Sequence, residues 1–320
     1  MSFALCYIRS LGRTIFKLVS RGGLAWLESV RLGRLPWLVH AFSTRRGGLS
    51  HAPCAGLNLG FTASDQRARV EENRRRFFAQ IGAKDFEPAS VRQIHSSHSF
   101  VVARDPAAQL TYQLPGIEVA VPAADHAPAA DGLMTAEPGV LLTIRIADCL
   151  PVLLVDPRRR AVAAVHAGWR GALARVIEKA VGDMRRALGT DPQDLIAALG
   201  PSIRACCYEV GEEVVEAFHV SFAEADHFFR PLPKRARAAT DRRSILFLSA
   251  YPPGHAPEHV PAARLDLTAV ARTQLASARV RPANILVADY CTACRTDLFF
   301  SHRREGEGTG RQVAAIGLGA

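Results

Sequence analysis

Two apolar runs set close together constrain the fold of this chain most: LLTIRIADCLPVLLVD over 141–156 and AVAAVHAGW over 161–169. Apolar runs of this length with little polar alternation read as strands covered on both faces, the interior of a layered α/β protein. The first run divides into two strand-like pieces around Cys149, and Pro151 is expected to break the ladder just after it. The second carries His166 near its end. A helix should follow from about Gly171, because Leu173, Val176, Ile177, Ala180, Val181, Met184 and Leu188 recur at the spacing of one buried face. Gly189 is its expected stop. A thiol and an imidazole 17 positions apart, each beside a strand break, can converge at one sheet edge, where α/β proteins build their sites.

The rest of the chain is long enough to bury a large core: 320 residues, 48% of them apolar. The net charge of +10 resembles a nucleic-acid signal until it is mapped. Residues 1–50 hold eight Arg and Lys against Glu28 alone, so the remainder is close to neutral. No nucleic-acid module or stacking platform accompanies the charge, and nucleic acid is not an expected partner. Nor is a membrane, since no apolar run reaches the ~18 residues of a spanning helix. Residues 1–24 form a basic, acid-free leader expected to pack poorly on the rest. The cysteine number is odd (Cys6, Cys54, Cys149, Cys206, Cys207, Cys291, Cys294), and two are adjacent. That pattern, without a secretory signal, points to reduced thiols and a cytoplasmic protein rather than a disulfide framework.

Along the chain, a strand should end at Thr44 before the turn Arg45-Arg46-Gly47-Gly48. Arg45 is either a solvated turn residue or an anion clamp, since its forked donors suit phosphate and carboxylate. Ser64 and Asp65 are placed to cap a helix running to Ile81. His95 and His98 stand just before a strand at 99–103. Segments 105–129 and 230–263 lack clear periodicity and read as variable loops, the first with a short strand near 117–121. Strands are expected at 195–199 and 285–288, helices from Gly211 and over 265–275, and a strand–turn–strand at the end. No repeat or linker divides the chain, so we expect one domain over 25–320, α/β in class, with mixed sheets flanked by helices.

Cys149, His166 and one of His95 or His98 can supply a catalytic zinc site, which takes three protein ligands and leaves one position open. Cys149 as a nucleophile with His166 as its base is equally allowed, as is a buried strand thiol with no chemistry. Cys206-Cys207 with Cys291-x-x-Cys294 is a weaker candidate for structural zinc, since adjacent cysteines seldom both bind one ion. There is no GxGxxG, P-loop or GxSxG elbow to support a nucleotide-cofactor or serine-hydrolase reading.

Taken in order, AFSTRRGGLS, GLNLG, QIH (93–95), ADG (130–132), ADCLPVLLVDP (147–157), AVHAGWRG (164–171), GPSIRACCYEVG (200–211) and FFSHRREGEGTGRQ (299–312) resemble the YfiH/YlmD-type family. That family was formerly named for multicopper polyphenol oxidases, or laccases. The resemblance covers about residues 25–318 and implies a single domain of the YfiH-like fold classed with cysteine hydrolases. It implies a zinc-dependent purine nucleoside phosphorylase acting on adenosine, inosine and methylthioadenosine with phosphate, and adenosine deamination beside it. The implied ligands are His95, Cys149 and His166, which excludes His98. The sequence departs from the family at Arg145 and Ile146, where relatives often carry a threonine, and in the enlarged 105–129 loop. Arg45, Arg170 and Arg303 are candidate phosphate or substrate contacts, and Asp148 a candidate partner orienting a histidine. Zinc is favoured over copper, because the 11 histidines include no His-x-His pair and there are three methionines. The rival readings are a Cys149-dependent amide hydrolase acting on peptidoglycan-precursor peptides and a zinc-stabilised binding module without catalysis.

Overall fold

The computed structural model describes residues 15–117, 120–122, 127–232 and 261–319. One sheet contains β1 (Phe16–Arg21), β2 (Leu24–Ser29), β3 (Leu38–Ser43), β4 (Glu87–Ser90), β9 (Val140–Ile146) and β17 (Gln312–Leu318). Their spatial order is β1-β2-β3-β17-β9-β4. A second sheet contains β5 (Ser99–Arg104), β6 (Leu110–Gln113), β7 (Ala120–Pro122), β8 (Gly132–Thr135), β10 (Leu150–Asp156), β11 (Ala161–Ala167), β12 (Ile196–Leu199) and β16 (Ile285–Val287). It runs β16-β12-β10-β11-β8-β5-β6-β7. A small third sheet joins β13 (Glu209–Val210), β14 (Phe229–Arg230) and β15 (Ala263–Leu265). Both large sheets are mixed: β4–β9, β5–β8 and β12–β16 pair in parallel and the other neighbours antiparallel. The class is α+β.

The packing explains why the apolar runs lack alternation. On β10, Val152 and Leu154 enter one core layer while Leu153 and Val155 enter another. On β17, Ala314 and Ile316 face the same inter-sheet layer as Leu153, and Val313 and Ala315 face outward. Helix α1 (Arg67–Gln80) covers that outward face with Phe77 and Phe78 against Trp26 and Leu141. Helices α3 (Val176–Leu188), α4 (Glu212–Ser221) and α5 (Leu267–Ser277) cover the far face of the second sheet. Central strands are therefore buried on both sides and have no polar face to show. Truncating Leu153 to Ala would cost roughly 2–5 kcal/mol at such a position.

Several local expectations are corrected. The poor packing expected of 1–24 does not hold for 16–24: Phe16–Arg21 is an edge strand paired with β2, and Leu24 is fully buried. Residues 1–14 lie outside the described residues, as does 233–260 within the second variable loop. The 105–129 segment carries two strands where one is expected near 117–121: β7 overlaps that place at Ala120–Pro122, and β6 precedes it, both extending the second sheet. Pro151 does not break its ladder. It pairs with His166, and its carbonyl accepts from Gly200 N, where β12 ends and little is lost by a missing donor. The helix after Gly171 is two helices, α2 (Trp169–Leu173) and α3, because Arg175 adopts the left-handed conformation at φ 60°. Asp65 does not cap α1; its carboxylate accepts from Ser50 and Asn58 side chains instead. The strand expected near 299 is absent, and α6 (His302–Glu305) occupies that region before β17.

The topology also sets up a site. The chain passes from the first sheet to the second twice, between β4 and β5 and between β9 and β10. His95 lies on the first crossing and Cys149 on the second.

Candidate active site at the seam between the sheets

His95, Cys149 and His166 meet at this seam. One donor atom from each lies within 4.8 Å of the others. His95 Nε2 is 3.8 Å from Cys149 Sγ, and the two imidazole rings meet edge-on with centroids 5.0 Å apart. Sequence spacing leaves His95 and His98 both open; of the two, His95 stands in the group. His95 is held at φ 60°, a strained position for a non-glycine residue. Gly168 makes the approach feasible: a Cβ there would stand 2.5 Å from His95 Cδ2 and 3.0 Å from Cys149 Sγ.

What holds the strained turn is Asp131, which lies immediately before β8 and is fully buried. Its carboxylate accepts from the backbone N–H groups of Ile94, His95 and Ser96, from the Ser96 hydroxyl, and from His166 Nδ1 at 2.8 Å. A single carboxylate thus fixes the backbone of one donor residue and the ring of another. With Nδ1 engaged, Nε2 of His166 is left for the group. Burial pushes the Asp131 carboxyl upward, but the His166 and Ser96 hydrogen bonds keep it below the usual carboxylate range. Burial likewise opposes charge on Cys149 and His166. Facing imidazoles nonetheless bring the thiol down to about 6, and Cys149 with Asp131 raises His166 to about 9.

These donors fit a metal. Two imidazoles and a thiolate are ligands of choice for borderline transition metals, and three protein ligands beside a cavity leave a coordination position for substrate. A ligand histidine whose other nitrogen is bonded to a buried carboxylate is the usual means of fixing its tautomer.

The cavity beside the group has a volume of about 450 Å³ and is also lined by Phe61, Gln93, Arg145, His302 and Arg311. That volume suits a small-molecule ligand. Arg145 and Arg311 were not expected as site residues. Burial holds Arg145 below its ordinary value with Arg311 adding repulsion, and behind them Arg74 falls to about 10 by burial and the charge of Arg145. Burial also lowers Arg311. None of the three makes an ion pair with a carboxylate among the described residues. The GLNLG stretch packs against them: Asn58 Oδ1 accepts from Arg311 N, and a Cβ on Gly60 would be 2.6 Å from Arg311 Cβ.

The other expected residues fall elsewhere. Arg45 does not line this cavity: its guanidinium bonds Glu305 at 2.6 Å and the Thr296 carbonyl, and lies over the Phe300 ring. Asp148 does not orient a histidine; its carboxylate accepts from Thr292 Oγ1 at 2.6 Å and Arg303 N at 2.7 Å. Arg170 and Arg303 line a neighbouring hollow of about 320 Å³ with Trp169 and Tyr208. A larger hollow of about 750 Å³ around Glu178, Arg185 and Asp191 shares no residue with either.

A family model described as multi-copper polyphenol oxidoreductase laccase matches residues 39–319. The chain belongs to this laccase-domain family. It is 32% identical over 305 residues to the purine nucleoside phosphorylase YlmD of Geobacillus stearothermophilus, covering 95% of this chain and 97% of that one. It is 31% identical over 280 residues to adenosine deaminase RL5 from an unknown prokaryotic organism, covering 87% and 93%. The crystal structure of YlmD from Geobacillus stearothermophilus superposes with a TM-score of 0.73 at 30% identity, over 96% of this chain and 99% of that one. The chain shares with that structure the mixed-sheet fold described above. No helix among the described residues is long and apolar enough to cross a membrane.

Proposed function

We propose that this chain is a zinc-dependent purine nucleoside phosphorylase acting on adenosine, inosine and S-methyl-5'-thioadenosine, with adenosine deamination as a second reaction. The observation that carries the reading is one cavity with two unlike walls. His95, Cys149 and His166 form one, and Arg145 and Arg311 bring unneutralised guanidiniums to the other. The names of the relatives supply the reaction class.

Phosphorolysis joins a phosphate oxygen to C1' of the sugar and breaks the C1'–N9 bond. The electron pair of that bond goes to the purine, which takes up a proton. A phosphate dianion needs forked cationic donors, and Arg145 and Arg311 gain from its arrival because they repel each other without it. His302, the lining imidazole outside the donor group, is assigned the proton for the departing base. His95, Cys149 and His166 would hold a zinc ion there, which would supply Lewis acidity when bound. Asp131 keeps both histidines in place throughout. Arg170 and Arg303 are assigned to substrate binding at the neighbouring hollow. The odd number of cysteines, two of them adjacent, supports the cytoplasm as the proposed compartment.

One observation favours a second reading. Asp131, His166 and a thiol drawn toward thiolate are also the parts of a cysteine hydrolase. The two separate on chelation. Zinc-loaded protein is incubated with adenosine, inosine and S-methyl-5'-thioadenosine, with and without phosphate, and free base and inosine are measured by chromatography. The phosphorylase reading expects phosphate-dependent base release that chelation and Cys149→Ala both abolish. No turnover of any of the three by folded, zinc-loaded protein sinks it. Peptide-amide cleavage that survives chelation would put the hydrolase in its place.

A further inference from the structure

Four cysteines outside this site converge on a single point. Cys206 and Cys207 come from the turn before β13, and Cys291 and Cys294 from the segment after β16. Their sulfurs all lie within 4.8 Å of one another, with Cys294 Sγ 3.5 Å from Cys206 Sγ and 3.3 Å from Cys207 Sγ. Four thiolates on one zinc ion at about 2.3 Å would stand roughly 3.8 Å apart along each edge of the tetrahedron. The observed spacing brackets that value.

The adjacency of Cys206 and Cys207 argued against such a site in the sequence. In an extended strand, neighbouring side chains point to opposite faces. Here the backbone is not extended: Cys207 N and Tyr208 N both donate to Arg204 O, closing a helical turn. Successive side chains then diverge by about a quarter-turn, so both sulfurs can reach one side. The surroundings suit a negatively charged cluster. Arg204 N donates to Cys291 Sγ at 3.4 Å, and Arg304 Nη2 lies 3.7 Å from Cys207 Sγ. A disulfide would need one defined pair, whereas here Cys294 is comparably close to two partners.

We infer that Cys206, Cys207, Cys291 and Cys294 form a second metal site, an all-thiolate structural zinc clip fastening the 200–211 segment to the 288–299 segment. No step of the proposed reaction uses it, and it stands whether or not that reaction is right. Its location gives it a consequence for the seam. Thr292, inside the Cys291–Cys294 loop, donates to the carboxylate of Asp148, and Ile203 N donates to the Asp148 carbonyl. The clip therefore braces the residue next to Cys149 from two directions. Being closed by four protein ligands, it contributes its binding energy to folding.

Protein produced with zinc under reducing conditions is assayed by elemental analysis. The clip requires about one zinc ion per chain in the Cys149→Ala/His166→Ala variant and about one fewer in Cys294→Ser than in the wild type, which holds about two if the seam group is loaded as well. Should Cys294→Ser fail to fold, cobalt substitution of Cys149→Ala/His166→Ala decides, because all four clip cysteines are intact there. An intense thiolate-to-cobalt charge-transfer band supports the clip. Absence of bound metal from that variant overturns it, and so does a disulfide among these cysteines found by mass spectrometry of non-reduced protein.

Discussion

The two walls of the seam cavity solve opposite electrostatic problems. Around His95, Cys149 and His166 nearly every polar atom has a partner, and the carboxylate of Asp131 alone takes five hydrogen bonds. Arg145 and Arg311 line the same cavity half-buried, with Arg74 near enough to feel the charge of Arg145, and no carboxylate is paired to any of the three among the described residues. The first wall is satisfied before a ligand arrives, so it can hold strained geometry such as the φ of 60° at His95. The second stores repulsion that an anion relieves. Substitutions should therefore act with opposite signs on the two walls: stability falls at the first and holds or rises at the second, while function falls at both.

The largest effect is expected at Asp131→Asn. The amide presents one oxygen and an N–H₂ group to a ring of donors, leaving several buried N–H groups unpaired and His166 unanchored. Loss of a carboxylate that orients a ligand histidine lowers metal affinity about 10–100-fold. Breaking a buried charged network costs roughly 3–5 kcal/mol of stability. Zinc competition titration and thermal melting measure the two losses separately. Metal affinity within about threefold of wild type would mean that Asp131 is not what organises this wall.

A smaller effect, with the opposite sign for stability, is expected at Arg145→Ala. A charge-assisted hydrogen bond contributes about 1.5–3 kcal/mol, so the phosphate KM should rise by roughly tenfold or more. Without phosphate the melting temperature should hold or increase, since Arg311 and Arg74 lose a like-charged neighbour. The stabilisation that phosphate gives the wild type should shrink with it. Arg45→Ala is the contrasting control. It removes the partner of Glu305 and the cover of Phe300, so it should destabilise while leaving the phosphate KM unchanged. If Arg45→Ala raises that KM and Arg145→Ala does not, the cationic wall has been assigned to the wrong residues.

How much of this was legible in the sequence follows from the range of each interaction. The central strands were visible because burial on both faces writes itself as an unbroken apolar run. His95, Cys149 and His166 were visible through short motifs, although spacing alone did not separate His95 from His98. Arg145 carried a signal that went unused as site evidence: it is the one charge inside the strand Val140–Ile146. Asp131 gave little warning, since an Asp-Gly pair before a strand usually marks a turn. The ion pair of Arg45 is invisible locally, because Glu305 lies 260 positions away. The split between α2 and α3 left no trace, because the apolar spacing continues across Arg175 as though the helix did. The convergence of four cysteines depended on the turn at Arg204, which the adjacency of two of them obscured.

The same rule, that the partner decides the charge, extends to a pair of buried histidines and gives the smallest of these effects. His166 donates from Nδ1 to the carboxylate of Asp131; His40, on β3, accepts a hydrogen bond from Ser29 N through Nε2 at 3.0 Å, which only an unprotonated nitrogen can do. Burial lowers His40 from about 6.5 to about 4, against the opposing charge of Glu28. The unfolded chain therefore takes up a proton between those values that the folded chain refuses. The stability from a neutral His40 is fully present above about pH 6.5 and is lost as pH falls toward 4. Between pH 7 and pH 5 the loss is roughly 2 kcal/mol. Urea unfolding of chelator-treated protein at the two pH values, compared with His40→Gln, isolates this contribution from metal release. The variant, whose amide oxygen can still accept from Ser29, should show a stability change smaller by about that amount. Equal changes in the two proteins would mean that the acid sensitivity lies elsewhere and that burial at His40 is relieved before the proton arrives.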